Sequence, residues 1–189
     1  MPLSGRAAND QADALLKRFG SISAVAQASC RALAEVVGCT SPLPDMITGV
    51  RRLIQAGLRE RIIRSALDTS DPALLEFIVE QFSGLRHEEV LALFGDATGG
   101  YLDHRTLASG SMNGIALDRP VLFHRAAALG ARQIVLAHNH PSGVARPSDE
   151  DIEATRRIRS DGAIIGIELV DHLVVAGNKV FSMRRAGLL

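Results

Sequence analysis

The chain has 189 residues, and 47% of its side chains are hydrophobic, enough apolar material for one sizeable core and a smaller second one. Its 21 basic and 21 acidic side chains balance, so no net charge draws it to nucleic acid or to an anionic membrane. The N-terminal residues lack the apolar core of a signal peptide, and no apolar run reaches transmembrane length. These features predict a cytoplasmic protein with no membrane partner. Cys30 and Cys39 have no disulfide or metal-binding spacing and are expected to be free, buried thiols.

Residues 1–68 are predicted to form a small helical module. Apolar side chains recur there at helix-like intervals, with breaks at Gly20 and Gly38. Asp10 is a candidate N-cap of the first helix, and a longer amphipathic helix is predicted from about Asp45 to Leu67. The expected architecture of this module is a helical bundle.

From residue 71 to residue 189 the pattern changes to strands that alternate with helices. Strands interleaved with helices predict an α/β fold whose mixed sheet is covered on both faces. The predicted helices run from Asp71 to Gly84, from Pro120 to Leu129 and from Asp149 to about Ser160, and the predicted strands cover Val90–Phe94, Ile134–Leu136, Ala163–Val170, His172–Val175 and Lys179–Met183.

Two histidines, His138 and His140, lie where one buried strand is predicted to end. Side chains two residues apart on a strand share a face, so both rings can turn towards one point while Asn139 faces away. A helix begins near Ser148 after a short loop, and its first turn can bring the carboxylate of Asp151 beside the imidazoles. Two imidazoles and one carboxylate form a three-ligand zinc set that leaves the fourth position free for water, as in catalytic sites.

The same residues also have simpler explanations. Ser148-x-x-Asp151 is a plausible capping box, with Ser148 as the N-cap of the helix. His138 and His140 could be ordinary polar residues at the end of a strand. Their joint spacing decides between these interpretations, because Ser148 follows His140 by eight residues and Asp151 follows three residues later.

This spacing resembles the His-x-His-Pro and Ser-x-x-Asp signature of the JAMM (MPN+) metalloproteases. Residues from about 71 to 189 are similar to the JAB/MPN domain of RadC-type proteins. The resemblance implies a three-layer α/β/α fold similar to cytidine deaminases, with one zinc ion per chain. It also implies hydrolysis of a peptide or isopeptide bond in a protein or peptide substrate. The matching segments are His138–Gly143, Pro147-Ser148 with Asp151, Asp171-His172 and the closing Gly187–Leu189.

The resemblance also implies roles for single residues. The family's general base is a Glu just ahead of the first core strand, and Glu89 stands directly before the apolar run. Glu89 is therefore predicted to take the proton of the attacking water, whereas Glu88 is expected to point to the other face. Ser148 is expected to donate a hydrogen bond to the tetrahedral oxyanion. His172 is predicted to be structural or to support a ligand, not to bind the ion.

The N-terminal segments Leu15–Ser21 and Leu33–Gly38 are similar to the start of RadC-type proteins, which implies a helix-hairpin-helix-like module. Such hairpins use Gly-x-Gly to approach a DNA phosphate, and here the hairpin reads Gly38-Cys39-Thr40. A second hypothesis is therefore a DNA-associated protein with a structural or vestigial metal site, although a scaffold role for the helices is favoured. A nuclease ranks last, because such sites often use two metals. The sequence leaves the substrate and the oligomeric state open.

Overall fold

The computed structural model describes residues 5–63, 66–110 and 117–189. Among the helices in these ranges, none combines the length and the apolar composition that crossing a bilayer requires. The elements are, in order, α1 Gly5–Phe19, α2 Ile22–Gln27, α3 Cys30–Val37, α4 Leu43–Ile63, α5 Pro72–Phe82, β1 Glu88–Gly95, β2 Tyr101–Gly110, α6 Arg119–Leu129, β3 Gln133–Asn139, α7 Asp149–Ile164, β4 Glu168–Ala176 and β5 Lys179–Ser182.

The first of two compact units contains the residues up to Gly57 together with Ser83–Leu85. Its helix α1 lies against α2 and α3. Ser21 is the N-cap of α2, because its hydroxyl accepts a hydrogen bond from the backbone N–H of Ala24 at 3.1 Å. The predicted cap at Asp10 is wrong, since α1 already begins at Gly5 and Asp10 lies inside it.

Both cysteines are free thiols, but they are exposed and not buried as expected. Cys30 is the first residue of α3, and Cys39 follows the end of that helix. The buried position of α3 belongs to Leu33. The two thiols therefore lie at helix ends, outside the packed middle of the helix.

The second unit, Leu58–Phe82 with Arg86–Leu189, contains the sheet. Its strands lie in the order β2-β1-β3-β4-β5. β1 is antiparallel to both β2 and β3, β3 is parallel to β4, and β4 is antiparallel to β5. The predicted α/β class with a mixed sheet is confirmed. Helix α7 is the crossover that two parallel neighbouring strands require, and it therefore starts beside the carboxyl end of β3.

Helices lie on both faces of this sheet. On one face the side chains of α6 and α7 pack with alternate residues of β1 and β3. On the other face Phe77 of α5 meets the ring of His104 on β2 edge-on, with the ring centroids 5.0 Å apart. The first of these two cores consists of Ala92, Phe94, Leu122, Ala126, Ala131, Ile134, Leu136, Ile158, Ile167 and Leu169.

Several predicted boundaries in this unit are wrong, and two of them have a clear structural cause. The predicted extension of α4 to Leu67 is wrong, because the backbone N–H of Leu67 donates to the carbonyl of Gly99 at 2.8 Å instead of to a carbonyl of the helix. The predicted strand Ala163–Val170 is a helix end followed by a strand, since α7 continues to Ile164. Gly166, with φ at +73°, turns the chain there. The apolar run suited either structure, and hydrogen bonding decided between them.

Candidate metal centre

The pairing of β3 with its two neighbours fixes the histidines. His138 lies opposite Val90 of β1 and Val174 of β4, so strands hold its backbone from both sides. The backbone N–H of His140 donates to the carbonyl of Val175 at 2.7 Å, which continues this pairing beyond the end of the strand. Both rings are consequently carried on ordered backbone at the carboxyl end of β3.

Hydrogen bonds with Ser148 fix the carboxylate of Asp151. The Ser148 hydroxyl accepts from the backbone N–H of Asp151 at 3.1 Å and donates to Asp151 Oδ2 at 2.8 Å. The backbone N–H of Ser148 donates to the same oxygen at 2.8 Å. The capping-box interpretation is confirmed. Capping does not compete with metal binding here, because the capping bonds themselves orient the carboxylate.

Three ligand atoms converge on one point. His138 Nε2 and His140 Nε2 lie 3.0 Å apart, and Asp151 Oδ2 lies 3.5 Å from the first and 3.7 Å from the second. A tetrahedral zinc ion with bonds of about 2.0–2.1 Å separates its ligand atoms by about 3.3 Å. Within the part of the chain that the structure describes, this is the one group of three such side chains close enough to share an ion. The donor set and its spacing fit zinc.

The Nδ1 atoms of His138 and His140, which face away from the other candidate ligands, both have hydrogen-bond partners. His140 Nδ1 lies 3.0 Å from the carbonyl oxygen of Val144, which can only accept, so this nitrogen carries the proton. His138 Nδ1 lies 2.8 Å from Nε2 of His172 on β4. Metal-binding imidazoles need such partners to hold the ring and its tautomer.

His172 lies behind His138 and outside the group of three side chains that could share an ion. It lies opposite Leu136 in the parallel pair β3–β4, and its Nε2 faces His138. Its Nδ1 is 2.6 Å from the hydroxyl of Thr155 on α7. Sequence reasoning missed Thr155, although its position four residues after Asp151 places both on one face of the helix.

The protonation states favour a cation. Burial, together with the charge of neighbouring His138, lowers the pKa of His172 to about 3, so this ring is neutral. Burial raises the pKa of the Asp151 carboxyl, but interactions with His138 and hydrogen bonds from Ser148 outweigh it and hold that pKa well below its usual range. The carboxylate is therefore ionised beside two imidazole nitrogens.

A cavity of about 530 Å³ opens over the ligand atoms, and Glu88 lines it. Side chains alternate along β1, so Glu88 shares the face of Val90, whose partner across the sheet is His138. Among its other lining residues are His140, Ser148, Asp151 and His172.

Glu89 lies on the opposite face of β1, and the expectation that it faces the metal point is wrong. Its carboxylate is 2.8 Å from His87 Nε2, and its backbone N–H donates to Asn139 Oδ1 at 2.7 Å. The physical reason is that β1 already begins at Glu88, so both glutamates belong to the strand and Glu89 alternates with Val90 instead of sharing its face.

Comparison with known proteins agrees with this geometry. Residues 68–188 match the family described as RadC-like JAB domain. A UPF0758 protein of Bordetella petrii is 34% identical over 98% of this chain and 82% of its own length. UPF0758 proteins of Methylibium petroleiphilum and Paraburkholderia xenovorans are 31% and 30% identical, over 99% and 98% of this chain and 84% and 73% of their own lengths. The chain therefore belongs to the RadC-like JAB domain family.

Proposed function

We propose that this protein is a zinc-dependent hydrolase that cleaves a peptide or isopeptide bond in a protein or peptide substrate. One observation carries the proposal: His138 Nε2, His140 Nε2 and Asp151 Oδ2 converge at 3.0–3.7 Å beneath a cavity that also holds a carboxylate. These three residues would hold one zinc ion, which would supply a Lewis acid and lower the pKa of the attacking water to about 7.

Glu88 is the general base of this proposal, in place of Glu89. Glu88 lines the cavity and is not one of the three candidate ligands. It accepts a proton from the attacking water and returns it to the leaving amine, which requires an approach of about 2.6–3.2 Å to each. Glu89 has no such role, because His87 and Asn139 hold it on the other face of the sheet.

Ser148 stabilises the oxyanion in this proposal. Ser148 lines the cavity, and its hydroxyl donates its one hydrogen to Asp151 Oδ2. To serve a tetrahedral oxyanion, the hydroxyl rotates so that this hydrogen points at the substrate. The bond between the backbone N–H of Ser148 and Asp151 Oδ2 is unaffected by that rotation and keeps the carboxylate in place.

The finer fold likenesses and the cellular setting are part of the same proposal. Helices on both faces of a mixed sheet support a cytidine-deaminase-like arrangement. The turn at Gly38 after α3 supports a helix-hairpin-helix-like module. The DNA-associated alternative has weaker support, because Gly38-Cys39-Thr40 lacks the second glycine that brings backbone N–H groups to a phosphate. A cytoplasmic location stays a prediction.

Two neighbouring substitutions test the proposal. The zinc-loaded protein, Glu88→Gln and Glu89→Gln are each incubated with a peptide library and an isopeptide-linked peptide library, and the products are identified by mass spectrometry. Glu88→Gln should retain zinc and lose roughly 10²–10⁴-fold in turnover, the usual contribution of a general base. Glu89→Gln is the matched control and should remain close to wild type.

Three outcomes contradict this proposal. Zinc-loaded wild type that cleaves neither library but hydrolyses DNA would make the protein a phosphodiesterase. Loss of turnover in Glu89→Gln alone would place the base on the other face of β1. Metal analysis that finds no zinc in wild type even after zinc addition would remove the ion from the reaction.

A further inference from the structure

A chain of hydrogen bonds connects two of the zinc ligands through residues that do not bind the ion. The Thr155 hydroxyl donates to the backbone carbonyl of Asp151 at 2.5 Å. The same oxygen lies 2.6 Å from His172 Nδ1, and His172 Nε2 lies 2.8 Å from His138 Nδ1. The chain runs from the first turn of α7 to β4 and then to β3, so it joins the helix that carries Asp151 to the strand that carries His138.

The direction of every proton in this chain follows from its first bond. A carbonyl only accepts and a hydroxyl has one hydrogen, so the hydrogen of Thr155 points at Asp151. The Thr155 oxygen then accepts from His172, which places the His172 proton on Nδ1 and leaves a lone pair on Nε2. That lone pair accepts the Nδ1 proton of His138. In a neutral His138 ring, Nε2 is thereby left without a proton, and it faces His140 Nε2 at 3.0 Å and Asp151 Oδ2 at 3.5 Å.

The reverse order conflicts with the distances. If Thr155 donated to His172 Nδ1, its oxygen would face the carbonyl of Asp151 at 2.5 Å with no hydrogen between them. His172 would then carry its proton on Nε2 and donate it to His138 Nδ1, which would shift the proton of a neutral His138 ring onto Nε2 and block the ligand position. Thr155 therefore selects the one order that leaves His138 competent to bind.

We propose that Thr155 and His172 are positioning residues that fix the ligand tautomer of His138 and so set the affinity for zinc. This inference rests on the proposed zinc site. A ligand histidine held by a carbonyl, such as His140, has its tautomer set directly by that acceptor. His138 is held by another imidazole, which can donate or accept, and only the hydroxyl of Thr155 removes that ambiguity.

Burial keeps this order fixed. The exposed fractions are 0% for Thr155, 4% for His138 and 6% for His172. Thr155 Oγ1 additionally contacts the sulfur of Met183 at 3.7 Å, and Met183 is itself fully buried. With little solvent contact, water has little access to replace a partner and reverse the chain.

Two measurements on the full chain test the inference. Long-range ¹H–¹⁵N NMR spectra of the histidine rings report which nitrogen carries each proton, in the metal-free and the zinc-loaded protein. We expect the proton of His172 on Nδ1 and that of His138 on Nδ1. Competition with a chelator then gives the zinc affinity, with zinc alone as the probe.

Substitutions at two threonines separate the effect of the Thr155 hydroxyl from that of its side-chain shape. Thr155→Val keeps the shape of the side chain and should weaken zinc binding roughly 10–100-fold, the usual effect of losing a partner behind a ligand. Thr155→Ser restores the hydroxyl and should restore the affinity. Thr48→Val is the matched control, because Thr48 makes the same kind of helix bond, to the carbonyl of Pro44 at 2.9 Å, in the first unit. It should leave zinc affinity unchanged.

A His172 proton on Nε2 in the metal-free protein would overturn the inference, and this measurement on wild type needs no variant to fold. Zinc affinity of folded Thr155→Val within about twofold of Thr48→Val would overturn it as well, while the zinc site and its hydrolase role stand. Absence of zinc binding in wild type contradicts the proposed function instead, and the proton order in the metal-free rings is then read separately.

Discussion

Two carboxylates in the same domain have opposite surroundings. Asp171 on β4 is fully buried and accepts four hydrogen bonds. They come from the hydroxyls of Thr69 at 2.9 Å and Ser182 at 2.5 Å, and from the backbone N–H groups of His172 at 2.7 Å and Arg184 at 3.0 Å. Every contact brings a hydrogen to an oxygen, so the group is satisfied without any ion.

Asp151, in contrast, faces two imidazole nitrogens. Its Oδ2 accepts hydrogen bonds from Ser148 and lies 3.5–3.7 Å from the Nε2 atoms of His138 and His140. These three atoms lie close enough together to share a metal ion. Burial alone therefore does not distinguish a structural carboxylate from a metal ligand, whereas the groups that surround it do.

The largest expected effect on stability is that of Asp171→Ala. This change removes the acceptor of the buried backbone N–H of His172 and of the part-buried backbone N–H of Arg184, at about 1–3 kcal/mol for each group that stays unpaired. The free energy of unfolding in urea should therefore fall by about 2–6 kcal/mol. His140→Ala should abolish zinc binding and yet retain the fold, because the sheet has its own apolar core.

Asp171→Asn is the control for this pair of variants. Its amide oxygen can still accept from the backbone N–H groups of His172 and Arg184, so the free energy of unfolding should fall by less than in Asp171→Ala. If His140→Ala unfolded the metal-free protein and Asp171→Ala did not, the assignment of structural and metal-binding roles would be reversed.

The second prediction concerns His172. Its backbone N–H donates to Asp171, and its ring nitrogen Nε2 contacts Nδ1 of His138. Burial lowers the pKa of His172 from 6.5 to about 3. Between these two pH values, the ring is therefore protonated in the unfolded state and neutral in the folded state. This contribution to stability is complete above pH 6.5 and is lost as pH falls towards about 3. Within this range, the contribution of His172 to the free energy of unfolding should change by about 1.4 kcal/mol per pH unit, at about one proton per molecule.

Urea unfolding of the metal-free protein across this pH range measures that slope. His172→Gln lacks the titrating ring, so its free energy of unfolding should depend less steeply on pH, by the amount that the uptake of one proton contributes. An unchanged slope in that variant would mean that other groups carry the acid sensitivity, and that the ring of His172 is not held neutral.

The smallest expected change in stability is that of Ser148→Ala. Losing the N-cap of α7 should lower the free energy of unfolding by about 1 kcal/mol, with zinc retained. If the hydroxyl also serves the oxyanion, kcat falls by an amount equivalent to about 2.7–4 kcal/mol. A lower melting temperature with unchanged kcat would leave Ser148 as a cap alone.

The sequence by itself determined the class of the fold and the three side chains that could share a metal ion. The period of two along a strand puts His138 and His140 on one face, and a helix start after a short loop brings Asp151 close. These are short-range consequences of backbone geometry, so spacing along the chain was sufficient. The same logic predicted the N-cap at Ser148, which the structure confirms.

Only the tertiary structure decided which glutamate faces the site and which residues stand behind the ligands. Glu88 and Glu89 are neighbours, and pairing with β2 includes both in β1, so that Glu88 shares the face of Val90 and Glu89 lies on the other face. His172 and Thr155 reach His138 through the parallel pairing of β3 with β4 and the packing of α7 on the sheet. Contacts between residues so far apart in the chain depend on strand register, which no local pattern of apolar residues specifies.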